Sequence, residues 1–140
     1  MENKRFKPSF DKLFWWPLII TAIVLIPMTV ISAFAPISLL VTIPVDLLVA
    51  YFLVSPFFGY VELRENSVFV KFGLILKKEI PYSKIRKIQR DRRIYSESIM
   101  SLKNALDHVN IRYNACDVVT VSVIDLDSFI DELNKRRTNL

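Results

Sequence analysis

From Leu13 to Phe58 the chain runs for 46 residues with one charge, Asp46. Leu13–Ala35 is charge-free for 23 residues, about 34 Å as a helix, and Ile37–Phe58 adds 22 residues, about 33 Å. Either length crosses a bilayer core about 30 Å thick. Pro36 stands between them and disfavours helix at Ala35, so two helices with almost no loop must fold back on each other. The expectation is a transmembrane helical hairpin, 13–35 and 37–58, flanked by a basic tail (1–12) and a second domain (59–140). Every other charged residue lies outside the block. With 52% hydrophobic residues, one Cys and two Gly, the chain is neither disordered, nor a disulfide scaffold, nor a fully soluble globule.

A cleaved signal sequence is the rival reading, because Ala33-Phe34-Ala35 mimics a small-residue cleavage site. The apolar run is too long for a signal core, proline follows the site, and a second apolar run begins at once. Orientation follows from the cations near the span ends. Lys4, Arg5, Lys7 and Lys12 precede the first span, Arg64, Lys71, Lys77 and Lys78 follow the second, and the turn has none. Both termini are expected in the cytoplasm, with a multi-pass anchor in the cell membrane. Trp15, Trp16, Tyr51, Phe57, Phe58 and Tyr60 gather toward the same side, where aromatic rings anchor helices at headgroup level.

Asp46 lies near mid-span, where an ionised carboxylate costs at least about 2.5 kcal/mol. In a hairpin folded at Pro36 it comes close to Ile26–Thr29, so the Thr29 hydroxyl is a candidate partner. Two readings stand. Asp46 locks the hairpin or a subunit interface by hydrogen bonding, or it handles protons or ions.

Residues 59–140 read as strands and then one helix. Tyr60–Leu63, Ser67–Phe72 and Leu74–Ile80 alternate, with Val68, Val70, Phe72, Leu74, Leu76 and Ile80 expected inward and Gly73 in a hairpin turn. Pro81 breaks the ladder. Ile85 and Ile88, three apart, announce a bulge or one helical turn before a strand near Gln89–Ile94. Ser96–Asn104 is ambiguous. Asp107–Tyr113 alternates with Val109, Ile111 and Tyr113 on one face and His108, Asn110 and Arg112 on the other. After a turn at Asn114–Asp117, Val118–Ile124 points Val119, Val121 and Val123 inward and Thr120 and Ser122 outward. Leu126, Phe129, Ile130 and Leu133 then form one helical stripe, with Ser122 or Asp125 as cap and Lys135, Arg136 and Arg137 at the C-terminal end. Six or seven antiparallel strands and a capping helix make a small barrel or bent sheet.

The order of two apolar spans, Gly59-Tyr60-Val61-Glu62-Leu63, Phe72-Gly73-Leu74, Glu79-Ile80-Pro81-Tyr82-Ser83-Lys84-Ile85 with Ile88, Leu106–Tyr113, and Phe129 with Leu133 resembles the bacterial pleckstrin-homology-like families of small membrane proteins. The Ile-Pro-Tyr-x-x-Ile-x-x-Ile stretch is its most specific piece. The resemblance implies a partly open β-barrel or strongly bent sheet capped by a C-terminal helix on the cytoplasmic face, and no enzyme activity. It also implies an alternative role in immunity or membrane-stress protection, and it admits oligomers. Ala105 and Val123 depart from its pattern, where Ser and Pro are expected. The first hairpin turn, Arg64-Glu65-Asn66-Ser67, is net neutral, so phosphoinositide binding is not carried over.

The positive charge, +5 for the chain, concentrates in one run. Lys77, Lys78, Lys84, Arg86, Lys87, Arg90, Arg92 and Arg93 stand against Glu79 and Asp91, net +6. This run either contacts anionic headgroups or a membrane-protein partner, or only enforces topology. It lacks the interleaved aromatics of a nucleic-acid surface. His108 is expected as a satisfied surface histidine and Cys116 as a turn residue with no His near it in sequence. No metal, phosphate-loop or dinucleotide motif is present, so no cofactor is expected. The function expected is a non-enzymatic, membrane-anchored binding module.

Overall fold

Two helices, α1 (Lys12–Ser32) and α2 (Pro36–Val54), form a hairpin near the start of the computed structural model, which describes residues 2–139. Met1 and Leu140, at the ends of the expected tail and domain, lie outside the described residues. The Asp11 side chain caps α1, and Pro36 stands in the first turn of α2, where a missing N–H costs nothing. The turn between them needs Ala33–Ala35, so α1 ends three residues earlier than expected. The Ser38 hydroxyl closes the turn, 3.0 Å from the Ser32 carbonyl and 2.7 Å from that of Ala35. A 3-10 turn, Ser55–Phe58, follows α2. Both helices are long and apolar enough to cross a membrane, and neither apolar stretch buries a residue against the rest of the protein.

Among the described residues there are eight strands: seven within residues 59–140, as the six or seven expected there, and one more ahead of the hairpin. They are β1 (Lys4–Phe6), β2 (Tyr60–Leu63), β3 (Ser67–Lys71), β4 (Lys77–Pro81), β5 (Ile85–Arg92), β6 (Ser101–Leu102), β7 (Asp107–Tyr113) and β8 (Asp117–Val121). They form two open four-stranded sheets, ordered β1-β2-β3-β4 and β5-β7-β8-β6, not a closed barrel. Pro81 ends β4, and a 3-10 turn at Tyr82–Lys84 carries the chain into the second sheet. The register slips between Ile85 and Lys87, so the break expected there is a helical turn followed by a bulge. The ambiguous stretch before Asn104 supplies β6, which runs parallel to β8, the one exception to antiparallel pairing among the described residues.

The core lies between the sheets. Val61, Leu63, Val68, Val70 and Ile80 come from the first sheet, and Val109, Ile111, Val119 and Val121 from the second. Helix α3 (Leu126–Thr138) covers them with Leu126, Phe129 and Leu133, the stripe read from its spacing. Asp125 caps it by accepting from the Ser128 N–H at 3.2 Å. Two patterns depart from simple alternation. Leu74 and Leu76 are exposed instead of inward, because β4 starts only at Lys77. His108, Asn110, Thr120 and Ser122 are buried instead of outward. Thr120 donates to the Asn110 side-chain oxygen at 2.7 Å, which satisfies both inside.

The N-terminal segment is part of the domain. Lys4 pairs with Leu63 and Phe6 with Val61, so β1 is the outer strand of the first sheet. Pro8 then bridges Val123, Ser9 donates to the Ser122 carbonyl at 3.0 Å, and Asp11 donates to the Asn104 carbonyl at 2.9 Å. Residues 4–11 therefore stitch the first sheet to the second before α1 begins. The hairpin is inserted into the domain, with both of its roots held.

Candidate functional site: the rim beside the hairpin

One end of both sheets faces the hairpin. At the first sheet, β3 ends at Lys71 directly opposite Lys77, and the tip between them touches the root of α2, where Ser55 Oγ accepts from the Leu74 N–H at 3.2 Å. At the second sheet, Arg92 faces Asp107 at the end of β5. The chain continues to Ile94, which shares a cavity of about 240 Å³ with Leu13, Phe14 and Pro17 of α1. Between these places an aromatic cluster joins the two roots. Phe10 stacks on Phe57 at 4.9 Å, and Phe14 and Trp15 each reach Phe57 at 5.8 Å. The opposite rim carries the Arg64–Ser67 turn, Pro81 opposite Ser67, and Asn114 N donating to the Lys84 carbonyl.

The chain's two glycines both serve the hairpin side. A Cβ on Gly73 would sit 1.9 Å from Ser55 Oγ, and one on Gly59 would sit 2.3 Å from Leu102 Cδ1 and 3.0 Å from the Lys71 carbonyl. Neither glycine has positive φ. Close approach, not turn geometry, requires them.

The eight cations of the basic run do not form one patch, because the chain reverses between β4 and β5. Lys77, Arg92 and Arg93 lie on the hairpin side. Lys84, Arg86 and Lys87 lie at the other end. At about 3.3 Å per residue, Arg86 and Arg92 are separated by about 20 Å, well over a Debye length of about 8 Å. Arg90 is committed to Asp107 and Asp127, and Arg93 to Asp91 at 3.0 Å and Glu97 at 3.6 Å. Asp91, foremost, holds the Arg93 guanidinium above its ordinary pKa. The Lys78 ammonium lies 5.9 Å from the Tyr113 ring centre. Lys77, Lys84, Arg86, Lys87 and Arg92 form no ion pair among the described residues.

Two residues outside the run belong to this rim. Lys71 faces Lys77 across the ladder, its ammonium 5.8 Å from the Tyr60 ring. Lys103 donates to the carbonyls of Arg93 and Tyr95, and its burial lowers the ammonium pKa. Lys71 is readable from the sequence once β3 and β4 are paired across the Gly73 turn. Lys103 has no such signal.

Asp46 lines a groove between α1 and α2, beside Thr29, Ala22 and Ala50. Thr29 Oγ1 lies 2.8 Å from Asp46 Oδ2 and 2.9 Å from the Leu25 carbonyl. His108 is buried, not on the surface, with Nδ1 2.7 Å from the Leu106 carbonyl. Cys116 is exposed in the turn beyond the other end of β7. No group of three or more His, Cys, Asp or Glu suited to a metal ion occurs among the described residues.

No curated protein and no solved structure matches the chain. A family model does. The model described as the bacterial PH domain matches residues 59–137, from the start of β2 to the last turn of α3, and includes neither β1 nor the hairpin. More than half of the chain is covered, and the chain belongs to the bacterial PH domain family.

Proposed function

We propose that the chain is a non-enzymatic binding module held on the cytoplasmic face of a bacterial plasma membrane, with the hairpin spanning the bilayer and the PH-like domain in contact with anionic phospholipid headgroups. One observation carries this reading: both roots of the hairpin are tied into the same domain, one through β1 and one through β2. A hairpin anchored at both roots leaves the domain on one side of the bilayer without a linker, at headgroup depth. The outward apolar surface of both helices supports insertion, since an aqueous protein rarely exposes such an area. The positive residues before α1 and after α2 support the cytoplasmic side.

Each cation near an anionic surface contributes about 1 kcal/mol, and the contribution falls off within a Debye length. On this reading Lys77 and Arg92 reach headgroups while Arg93 stays paired with Asp91 and Glu97, whereas Lys84, Arg86 and Lys87 face away and stay available to a protein partner. The test is thermal unfolding of the full chain in nanodiscs of neutral or anionic phospholipid. Anionic discs should raise the melting temperature at low salt, and high salt should abolish the difference. Replacing Lys77 and Arg92 by Gln should reduce it, while the same change at Lys84, Arg86 and Lys87 should not. Equal melting temperatures in the two lipids would return these charges to topology alone.

A further inference from the structure

The hairpin-side rim carries exposed apolar side chains. Leu74, Ile75 and Leu76 form the tip between β3 and β4 and are 43%, 72% and 58% exposed. Ile94, 83% exposed, stands two residues beyond the end of β5. The two places lie on either side of the hairpin roots: Leu74 is hydrogen-bonded to Ser55 after α2, and Ile94 is beside Leu13 and Phe14 of α1. Both places therefore adjoin the roots of the helices.

The charge beneath the first tip points to the same ligand. Lys71 and Lys77 are directly opposite each other, a like-charge pair that destabilises a ladder when left alone. Neither forms an ion pair among the described residues. An anion between the two ammonium groups removes that cost. Three apolar residues ahead of two cations match the order of acyl boundary and phosphate met on entering a bilayer from water.

We infer that the β3–β4 tip and Ile94 dip into the bilayer interface on either side of the hairpin, with Leu74–Leu76 among the upper acyl carbons and Lys71 and Lys77 on lipid phosphate. The domain is seated on the membrane by these two wedges as well as by its helices. This rests on the hairpin being membrane-spanning. It adds a depth and an orientation that anchoring alone does not give, and it applies to the lipid of the bilayer itself rather than to a soluble phosphate.

Four single-cysteine versions of the full chain, made in a Cys116→Ser background and reconstituted in liposomes, test it. Ile75→Cys and Ile94→Cys probe the wedges, Lys84→Cys the opposite rim and Val24→Cys the span, each carrying an environment-sensitive fluorophore. Labels at 75 and 94 should emit at shorter wavelength than the label at 84, lose emission to lipid nitroxide placed near the headgroup end of the acyl chain, and resist aqueous iodide. The label at 84 should show the reverse. If 75 and 94 behave like 84 while 24 is quenched by lipid, the anchor stands and the wedges are refuted. Labels at 75 and 94 shielded from both quenchers would mean protein contact and equally overturn the inference. If 24 is open to iodide as well, the membrane-spanning reading itself fails.

Discussion

Phe6 and Phe129, from opposite ends of the chain, meet edge to face with ring centres 5.2 Å apart. Both are buried, one on the outer strand of the first sheet and the other on the covering helix. The contact makes the segment ahead of the hairpin a structural part of the domain behind it. Phe6→Ala should lower domain stability by about 3 kcal/mol, the usual cost of removing a buried ring. Denaturant unfolding of the full chain in detergent measures it. A change within error would mean that β1 is dispensable.

Gly73 is required by Ser55. In Gly73→Ala the new methyl group must push the Ser55 hydroxyl aside, and the Leu74 N–H loses its acceptor. The expected cost is about 1 kcal/mol, with faster hydrogen exchange at Leu74. The double variant Gly73→Ala/Ser55→Ala should recover part of the loss, and failure to recover any would place the role of Gly73 elsewhere.

Arg136 is buried at the end of α3 and makes four hydrogen bonds. It donates to the carbonyls of Leu63 at 3.0 Å, Arg64 at 3.1 Å and Glu2 at 2.8 Å, and to Glu132 Oε1 at 2.8 Å. Lysine keeps the charge but not the planar fork. Arg136→Lys should cost about 2 kcal/mol, while Arg137→Lys, on an exposed neighbour, should be neutral in the same unfolding assay.

Two carboxyls are held below their ordinary pKa by hydrogen bonds. The hydrogen bond from Ser67 chiefly holds Glu79 below its ordinary value of 4.5, against the opposing effect of burial and with Arg64 assisting. The hydrogen bond from Arg136 does the same for Glu132. A folded-state pKa below the unfolded one gives stability that is complete above the unfolded value and is lost as pH falls through the folded value. Unfolding free energy should therefore stay level down to about pH 5 and drop below it. Ser67→Ala should flatten that drop, and an unchanged slope would refute the assignment.

In the hairpin, Thr29→Val removes the hydroxyl that donates to Asp46. Hydrogen bonds between membrane helices average about 0.6 kcal/mol, so a loss of about 1 kcal/mol or less is expected in detergent unfolding followed by Trp15 and Trp16 fluorescence. A much larger loss would mean that the pair organises more than the hairpin.

The hairpin was legible because a charge-free run of that length has few other uses, and α3 because its stripe repeats over two turns. Strand β1 was not. Three residues, Lys4–Phe6, are too few to show a period, and their partners Val61–Leu63 lie beyond the whole hairpin. Alternation placed Val109 and Ile111 correctly. It misplaced His108 and Asn110, because polar residues that satisfy one another or a carbonyl can be buried on the second face. Leu74 and Leu76 erred the other way, since hydrophobicity by itself does not distinguish a core from a surface left apolar for another reason. The basic run looked like one site because sequence distance ignores the reversal at Pro81–Ile85. Once the strands are paired, the run divides and Lys71 joins its near half.

The central proposal is that the hairpin crosses the bilayer with the domain on the cytoplasmic side. Membrane-impermeant maleimide labelling in bacterial cells expressing the chain tests this directly, using native Cys116 in one version and Phe34→Cys in a Cys116→Ser background in the other. Phe34 is 86% exposed in the turn, and Cys116 is exposed on the far rim of the domain. The cysteine at 34 should react in intact cells, and Cys116 only after the membrane is permeabilised. If the cysteine at 34 also waits for permeabilisation, or Cys116 reacts in intact cells, the proposed topology is contradicted.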